Sequence, residues 1–166
     1  MRKYAFIGCF IAFLSMNGFG QSDFDYGSAL DAAIKFYDAN RCGPDAGTGN
    51  LFSWRGACHT SDGVTGGYHD AGDHVKFGLP QCWSAATLEW AMYEYPTVFE
   101  SRKAAYFRML KWFTDYFLKS HTTGSFTYNI GDGNADHGYW GAPENQTGSR
   151  PVIKAPPGSD VCGEAT

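Results

Sequence analysis

The sequence contains few charged residues and no hydrophobic run long enough to cross a membrane. Charged side chains make up 18% of the 166 residues, whereas 43% of the residues are hydrophobic. This composition excludes an intrinsically disordered polyelectrolyte, because enough apolar surface is available to offset the entropy cost of ordering the chain. The apolar segment 5–16 is shorter than the ~20 residues that a membrane-spanning helix needs. Length and composition together fit a single folded domain.

The N-terminus has the pattern of a secretory signal peptide. Arg2 and Lys3 precede the apolar segment, and residues 18–20 supply the small residues that a signal peptidase recognises. We therefore expect residues 1–20 to be removed and the protein to be secreted, with a membrane anchor as the alternative. Loss of the two basic residues would change the net charge from −4 to −6. Nucleic acid and anionic membranes are therefore poor candidate partners.

The cysteines are not spaced as in C-x-x-C zinc or redox motifs. Loss of the signal segment would remove one of the five and leave Cys42, Cys58, Cys82 and Cys162. In an oxidising compartment one or two disulfides can form. We favour Cys42–Cys58, because both residues lie in a glycine-rich loop that lacks a ladder of hydrogen bonds. Free buried thiols are the alternative.

Helical periodicity recurs along the chain between long loops. The predicted helices are 26–40 behind the N-cap Asp25, a second between Pro80 and Pro96, a third between Ser101 and Gly124, and the beginning of a fourth at Val161 behind Ser159 and Asp160. Loops 41–79 and 124–158 are rich in glycine, with one short extended stretch at 125–130. The predicted fold class is all-α with elaborate loops.

Two aspartates three residues apart stand out in the first loop. Asp70 and Asp73 are flanked by glycines, which allow the backbone to approach a ligand closely. If both carboxylates point into a cleft, they could hold and deprotonate one water molecule. Two other interpretations are open at this point. The aspartates could cap a turn, or they could bind a metal together with His69 and His74.

The second loop contains another polar cluster, at residues 131–140. Asp132, Asn134 and Asp136 match the first ligand positions of a calcium loop, but His137 replaces its glycine and proline stands at its twelfth position. The calcium-loop match therefore fails. The remaining feature is an imidazole beside the indole of Trp140, an arrangement that suits a sugar ring stacked on an aromatic face. A Trp packed in the core is the alternative.

These motifs occur together in one known family. They are Trp54-Arg55-Gly56, the string Thr65-Gly66-Gly67-Tyr68-His69-Asp70-Ala71-Gly72-Asp73-His74-Val75-Lys76-Phe77, residues 131–137 and residues 157–161. In this order the chain resembles glycoside hydrolase family 9, the endoglucanase or cellulase family, from about residue 25 to residue 166. The resemblance implies an (α/α)6 barrel and hydrolysis of β-1,4-glucosidic bonds with inversion. It assigns the general base to Asp73, the holding of the attacking water to Asp70, and substrate binding to His137 and Trp140.

The resemblance also implies that part of the catalytic machinery is missing. The family's general acid is a glutamate near the end of its catalytic domain, and no glutamate of this chain matches that motif. We therefore expect residues 21–166 to be the truncated N-terminal part of a catalytic domain, inactive alone, with three helices and the start of a fourth. No cofactor is expected, and the structural calcium common in the family cannot be assigned to residues here. A non-catalytic glucan-binding protein is the alternative function.

Overall fold

The computed structural model describes residues 24–155 and 160–166, which form six α-helices and four short β-strands. The helices are α1 (Tyr26–Ala39), α2 (Gly78–Glu94), α3 (Pro96–Phe99), α4 (Lys103–Ser120), α5 (Gly133–His137) and α6 (Val161–Glu164). The strands are β1 (Lys76–Phe77), β2 (His121–Thr122), β3 (Ser125–Ile130) and β4 (Val152–Ala155). Two 3-10 turns cover residues 100–102 and 143–145. The predicted signal segment, residues 1–20, lies outside the described residues.

The first two long helices form where periodicity predicts them. Asp25 caps α1, because its carboxylate accepts a hydrogen bond from the Ser28 amide at 2.9 Å. Helix α2 begins two residues before Pro80, which the first helical turn tolerates because the missing amide hydrogen would have no partner there. It ends at Glu94, before Pro96. Within the described ranges, no helix has the length and apolarity needed to cross a membrane.

The predicted ends of the third helix are wrong. Ser101 lies inside a 3-10 turn that joins α3 to α4, and α4 begins without a side-chain cap. At the other end, α4 stops at Ser120, and Gly124 instead turns the chain between β2 and β3 with a φ of +76°. The helical segment therefore starts earlier than predicted, because the first turn at Pro96 leads directly into it.

An antiparallel sheet is present in addition to the helices, so the all-α prediction is not confirmed. The extended stretch predicted at 125–130 is the central strand β3, which pairs with each of the other three strands. Strands β1 and β2 contain two residues each, too few to show an alternating pattern. Strand β4 is mostly exposed, so its sequence carries no buried periodicity either.

The sheet brings the two polar loops to the same place. Lys76 at the start of β1 pairs with Ile130 at the end of β3, and Ile130 also pairs with Val152 at the start of β4. The segments before β1, after β3 and before β4 must therefore meet at this end of the sheet. These segments contain the aspartate motif, the second cluster and the chain that follows it.

The apolar core lies between helices α1, α2, α4 and the sheet. Phe113 of α4 is its centre, since the ring is 1% exposed and lies 4.3 Å from the Tyr68 ring. The Tyr68 hydroxyl donates to the Met109 carbonyl at 3.0 Å. This contact attaches the long loop 41–75 to the core, so the loop is ordered by packing.

Two glycines with positive φ angles provide a matched test of the turn that follows β3. Gly131 has a φ of +107°, and a Cβ placed there would lie 2.8 Å from an Asp136 carboxylate oxygen. Gly124 has a positive φ as well, but a Cβ there would meet nothing within 4 Å. Gly124→Ala should cost about 1–2 kcal/mol of unfolding free energy through backbone strain alone. Gly131→Ala should lower the free energy of unfolding by clearly more, because the clash with Asp136 adds to the backbone strain. Equal losses for the two variants in urea unfolding would contradict this packing.

Candidate active site

Asp73 lies at the end of the sheet where the loops meet, and its two carboxylate oxygens have different partners. One oxygen accepts a hydrogen bond from the Val75 amide at 3.0 Å. The other lies 2.7 Å from His137 Nε2. The Asp73 side chain is 10% exposed and that of His137 is 60% exposed, so the pair opens to solvent on one side. A carboxylate has about four acceptor positions, so Asp73 keeps capacity to bind a water molecule.

A small open cavity of about 150 Å³ lies against this pair. Its lining residues are Gly72, Asp73, His137, Tyr139 and Trp140. The Trp140 side chain is 86% exposed, and a Cβ at Gly72 would lie 3.8 Å from its ring. The structure therefore places this indole at the surface beside a carboxylate and an imidazole, and the alternative of a Trp packed in the core does not hold. A larger cavity, about 580 Å³, lies elsewhere, between α4, β3 and α6.

Asp70 is exposed and faces a different cavity. Its amide donates to the Val75 carbonyl at 3.0 Å, which closes the turn that carries Asp73. Its cavity is lined by residues including Tyr37 and Tyr68, and Asp73 does not line it. Partial burial raises the pKa of the Asp70 carboxyl, and the negative charge of Asp73 raises it further. The two aspartates are thus close enough to interact, although they line separate cavities.

The Asp136 carboxylate holds the second loop in place through hydrogen bonds. One oxygen accepts from the Asp132 amide at 2.8 Å, and the other accepts from Gln146 Nε2 at 2.9 Å and from Arg150 Nη1 at 2.5 Å. Asp132 in turn caps α5 through the Ala135 amide. The acidic residues that resemble a calcium loop therefore serve as hydrogen-bond acceptors for the loop itself.

A buried ion-pair network continues under the site. Asp62 accepts from Lys76 Nζ at 2.8 Å and from Arg150 Nε at 2.8 Å. The Asp62 and Lys76 side chains have no exposed area. Arg150 also donates to the His74 carbonyl at 2.6 Å. Removing one partner of such a pair leaves an uncompensated buried charge, which typically costs about 3–5 kcal/mol. The loops are therefore held by charges rather than by a regular backbone ladder.

A second group of chemically reactive side chains lies beside the network. The Cys42, Cys58, His59 and His69 side chains are all buried, and one ligand atom of each lies within 4.8 Å of the others. His59 has a φ of +45°, a conformation that is uncommon for residues other than glycine. This turn aims its Nδ1 into the group, 3.1 Å from His69 Nε2 and 3.5 Å from Cys42 Sγ.

The favoured Cys42–Cys58 disulfide is not formed; both residues are free thiols, which was the open alternative. Two sulfurs and two imidazoles are the donor set that Zn²⁺ prefers. Burial lowers the pKa of His69 to about 4, so its ring is neutral at pH 7 and can donate a lone pair. The hydrogen bond from Cys42 lowers the pKa of Cys58, which favours the thiolate that a metal needs.

The sequence pattern of glycosyl hydrolase family 9 matches residues 26–166 of the chain. The chain belongs to glycosyl hydrolase family 9. The family has the (α/α)6 barrel fold. Among curated proteins, Endoglucanase 4 of Bacillus sp. (strain KSM-522) is 43% identical over 157 residues, which is 86% of this chain and 24% of that protein. Endoglucanase A of Bacillus pumilus is 39% identical over 94% of this chain and 25% of its own length.

Solved structures of family 9 agree with this assignment. The cellulase Cel9M of C. cellulolyticum is 55% identical with a TM-score of 0.81, over 86% of this chain and 37% of that one. A further Cel9M structure is a complex with cellobiose. An endoglucanase from the termite Nasutitermes takasagoensis is 36% identical with the same TM-score, over 86% of this chain and 36% of its own. The chain spans about a quarter of the length of the first curated relatives.

Several residues of this family 9 site have weak or no signals in the sequence. The ligand spacings of the Cys–His group, 16, 1 and 10 residues, do not match a zinc motif. The only local signal is the adjacent pair Cys58-His59 in a glycine-rich loop. Gln146 and Arg150 carry no signal, because all of their side-chain partners lie 10 or more residues away along the chain. The metal interpretation of Asp70 and Asp73 is not supported, since the metal-capable group among the described residues contains neither.

Metal removal tests the Cys–His group of this family 9 chain. Treatment with a chelator followed by Zn²⁺ at 100 times its Kd should stabilise the protein by about 2.7 kcal/mol, or about 5–10 °C in melting temperature. Cys58→Ser should abolish most of this shift. Cys162→Ser is the matched control, since that thiol is free and lies outside the group. A zinc-dependent shift that persists in Cys58→Ser, or a wild type that does not respond, would refute the site.

Proposed function

We propose that this protein is a secreted endo-β-1,4-glucanase that hydrolyses cellulose or a related β-1,4-glucan with inversion. Family membership and the endoglucanase names of its relatives support a glycoside hydrolase. The observation that carries the proposal is the Asp73–His137 pair, which lines an open cavity together with the exposed ring of Trp140. The basic, apolar and small segments of residues 1–20 support secretion.

In the proposed reaction Asp73 is the general base. It removes a proton from a water molecule while that water attacks the anomeric carbon from the face opposite the leaving group. The Val75 amide and the His137 ring fix both carboxylate oxygens, so the base is oriented before the substrate arrives. We also propose that Asp70 helps to hold the water, because it lies on the same turn as Asp73 and its amide closes that turn. In this structure its side chain lines the neighbouring cavity, so this role requires the Asp70 carboxylate to turn toward Asp73.

Inversion also requires a general acid on the other side of the scissile bond. The two carboxyl groups are typically about 6.5–9.5 Å apart, which leaves room for the water molecule. Among the residues that the structure describes, no glutamate lines the Asp73 cavity. Glu144 is engaged elsewhere, because it accepts from the Arg55 side chain and from the Gly56 amide. We propose that the acid belongs to a part of the catalytic domain outside these 166 residues.

The proposed substrate site uses the exposed aromatic face. Trp140 would stack on the apolar face of a glucose ring, and His137 would donate or accept a hydrogen bond at a hydroxyl. His137 has the exposure needed for this contact while its Nε2 holds Asp73. The cellobiose complex of Cel9M supports a glucan as the ligand class. The runner-up function, a non-catalytic glucan-binding protein, would use the same aromatic face without turnover.

Replacement of the proposed base separates catalysis from binding. In the full-length protein, Asp73→Asn should lower the rate of carboxymethyl cellulose hydrolysis by at least about 10²–10⁴-fold, because the amide cannot accept the water proton. Binding of cello-oligosaccharides should change little. Asp115→Asn is the control, since Asp115 is a partly exposed residue of α4 that pairs with Lys111. Turnover retained in Asp73→Asn would remove Asp73 from the base role, and a wild type that binds without turnover would favour the binding protein.

An exposed tryptophan outside the cavity allows a test of the stacking role. Trp140→Ala should weaken cello-oligosaccharide binding by roughly 2- to 13-fold, the range expected for about 0.5–1.5 kcal/mol of aromatic contact. Trp90→Ala is the matched control, because Trp90 is also well exposed but lies on α2 away from Asp73. Isothermal titration calorimetry measures both affinities. Equal losses in the two variants would contradict the assignment of Trp140 to the glucan site.

A further inference from the structure

Gln146 lies between the Cys–His group and the loop that carries His137. Its side-chain oxygen is 2.8 Å from His59 Nε2 and 2.6 Å from His74 Nδ1. Its side-chain nitrogen is 2.9 Å from an oxygen of Asp136. The amide therefore contacts a residue of the metal-capable group at one end and the support of the active-site loop at the other.

The partners of Gln146 determine the orientation of its amide. The opposite orientation would place the amide oxygen against the Asp136 carboxylate, where two acceptors would repel each other. With the oxygen toward the histidines, His59 Nε2 and His74 Nδ1 must both be donors. The remaining nitrogen of a neutral His59, Nδ1, then carries the lone pair. This is the nitrogen that faces Cys42 and His69.

The other end of the amide leads to the active-site pair in two steps. Asp136 accepts from the Gln146 side chain and from the amide of Asp132, the N-cap residue of α5. The last residue of α5 is His137, whose ring lies 2.7 Å from Asp73. A displacement of Gln146 would therefore change the support of the short helix that presents His137.

We propose that Gln146 is a positioning residue that couples the Cys–His group to the His137–Asp73 pair. When Zn²⁺ occupies the group, His59 is held with Nδ1 on the metal and Nε2 on Gln146. Gln146 then holds Asp136, and Asp136 holds the turn before His137. The coupling itself rests on the contacts of Gln146. Only its effect on catalysis depends on the proposed function.

Three variants of the full-length protein separate the two ends of the amide. Gln146→Met removes the hydrogen bonds at both ends of the amide. Its Zn²⁺ affinity, measured against a chromophoric chelator, should be about 10–100-fold lower than that of the wild type. Gln146→Glu keeps acceptor oxygens for the two histidines but places a carboxylate against Asp136. Its Zn²⁺ affinity should stay near that of the wild type. Thr147→Ala, at the exposed neighbouring position, is the control and should behave as the wild type.

The second readout is the NMR signal of His137 in histidine-labelled protein, assigned with a His137→Gln variant. Adding Zn²⁺ to metal-free wild type should shift this signal, although His137 is not part of the Cys–His group. In Gln146→Met and Gln146→Glu, saturation with Zn²⁺ should leave the His137 signal unchanged.

Two results would overturn the proposal. One is a wild-type His137 signal that does not shift when Zn²⁺ is added. This measurement does not depend on whether any variant folds. The other is a His137 response to Zn²⁺ in Gln146→Met equal to that of the wild type. Neither readout uses turnover, so failure of the coupling and failure of the proposed glucanase activity are distinguishable.

Discussion

The active-site loops depend on one buried carboxylate, that of Asp136. The residue is 2% exposed, and a buried charge is tolerated only when it is paired and hydrogen-bonded. Arg150 supplies the pairing charge and connects Asp136 to Asp62, which in turn pairs with Lys76 of β1. Segments far apart in the sequence are thereby fixed to the strand that follows Asp73. Since His137 is the next residue after Asp136, this network also sets the position of the His137–Asp73 pair.

The structure separates the groups proposed to meet the substrate from those that support them. Trp140 and His137 are exposed, and they lie after and at the end of the short helix α5. Beneath them Asp62, Lys76 and Asp136 are buried, and each is paired with an opposite charge. Long loops such as 41–75 lack a regular backbone ladder, so side-chain charges and the Cys–His group supply the order that strands would otherwise provide.

The parts of the structure that follow local rules were predictable from the sequence. The α1 cap at Asp25 and the strand at 125–130 are confirmed, because both depend on neighbouring residues. The contact between Asp73 and His137 was not predictable, because it depends on the pairing of β1 with β3. The role of Gln146 had no signal at all, since its partners His59, His74 and Asp136 lie 87, 72 and 10 residues away along the chain. The motifs identify the family and the candidate residues, whereas the distances between those residues depend on the fold.

The proposed role of Asp73 is to activate a water molecule for direct attack on the glucosidic bond. Such a single displacement inverts the anomeric centre, whereas a carboxylate nucleophile would retain it through two displacements. Proton NMR of the first products released from a cello-oligosaccharide by the full-length protein reports this outcome. If Asp73 is the base, the α-anomer appears first and then mutarotates. Initial formation of the β-anomer would contradict the base role of Asp73.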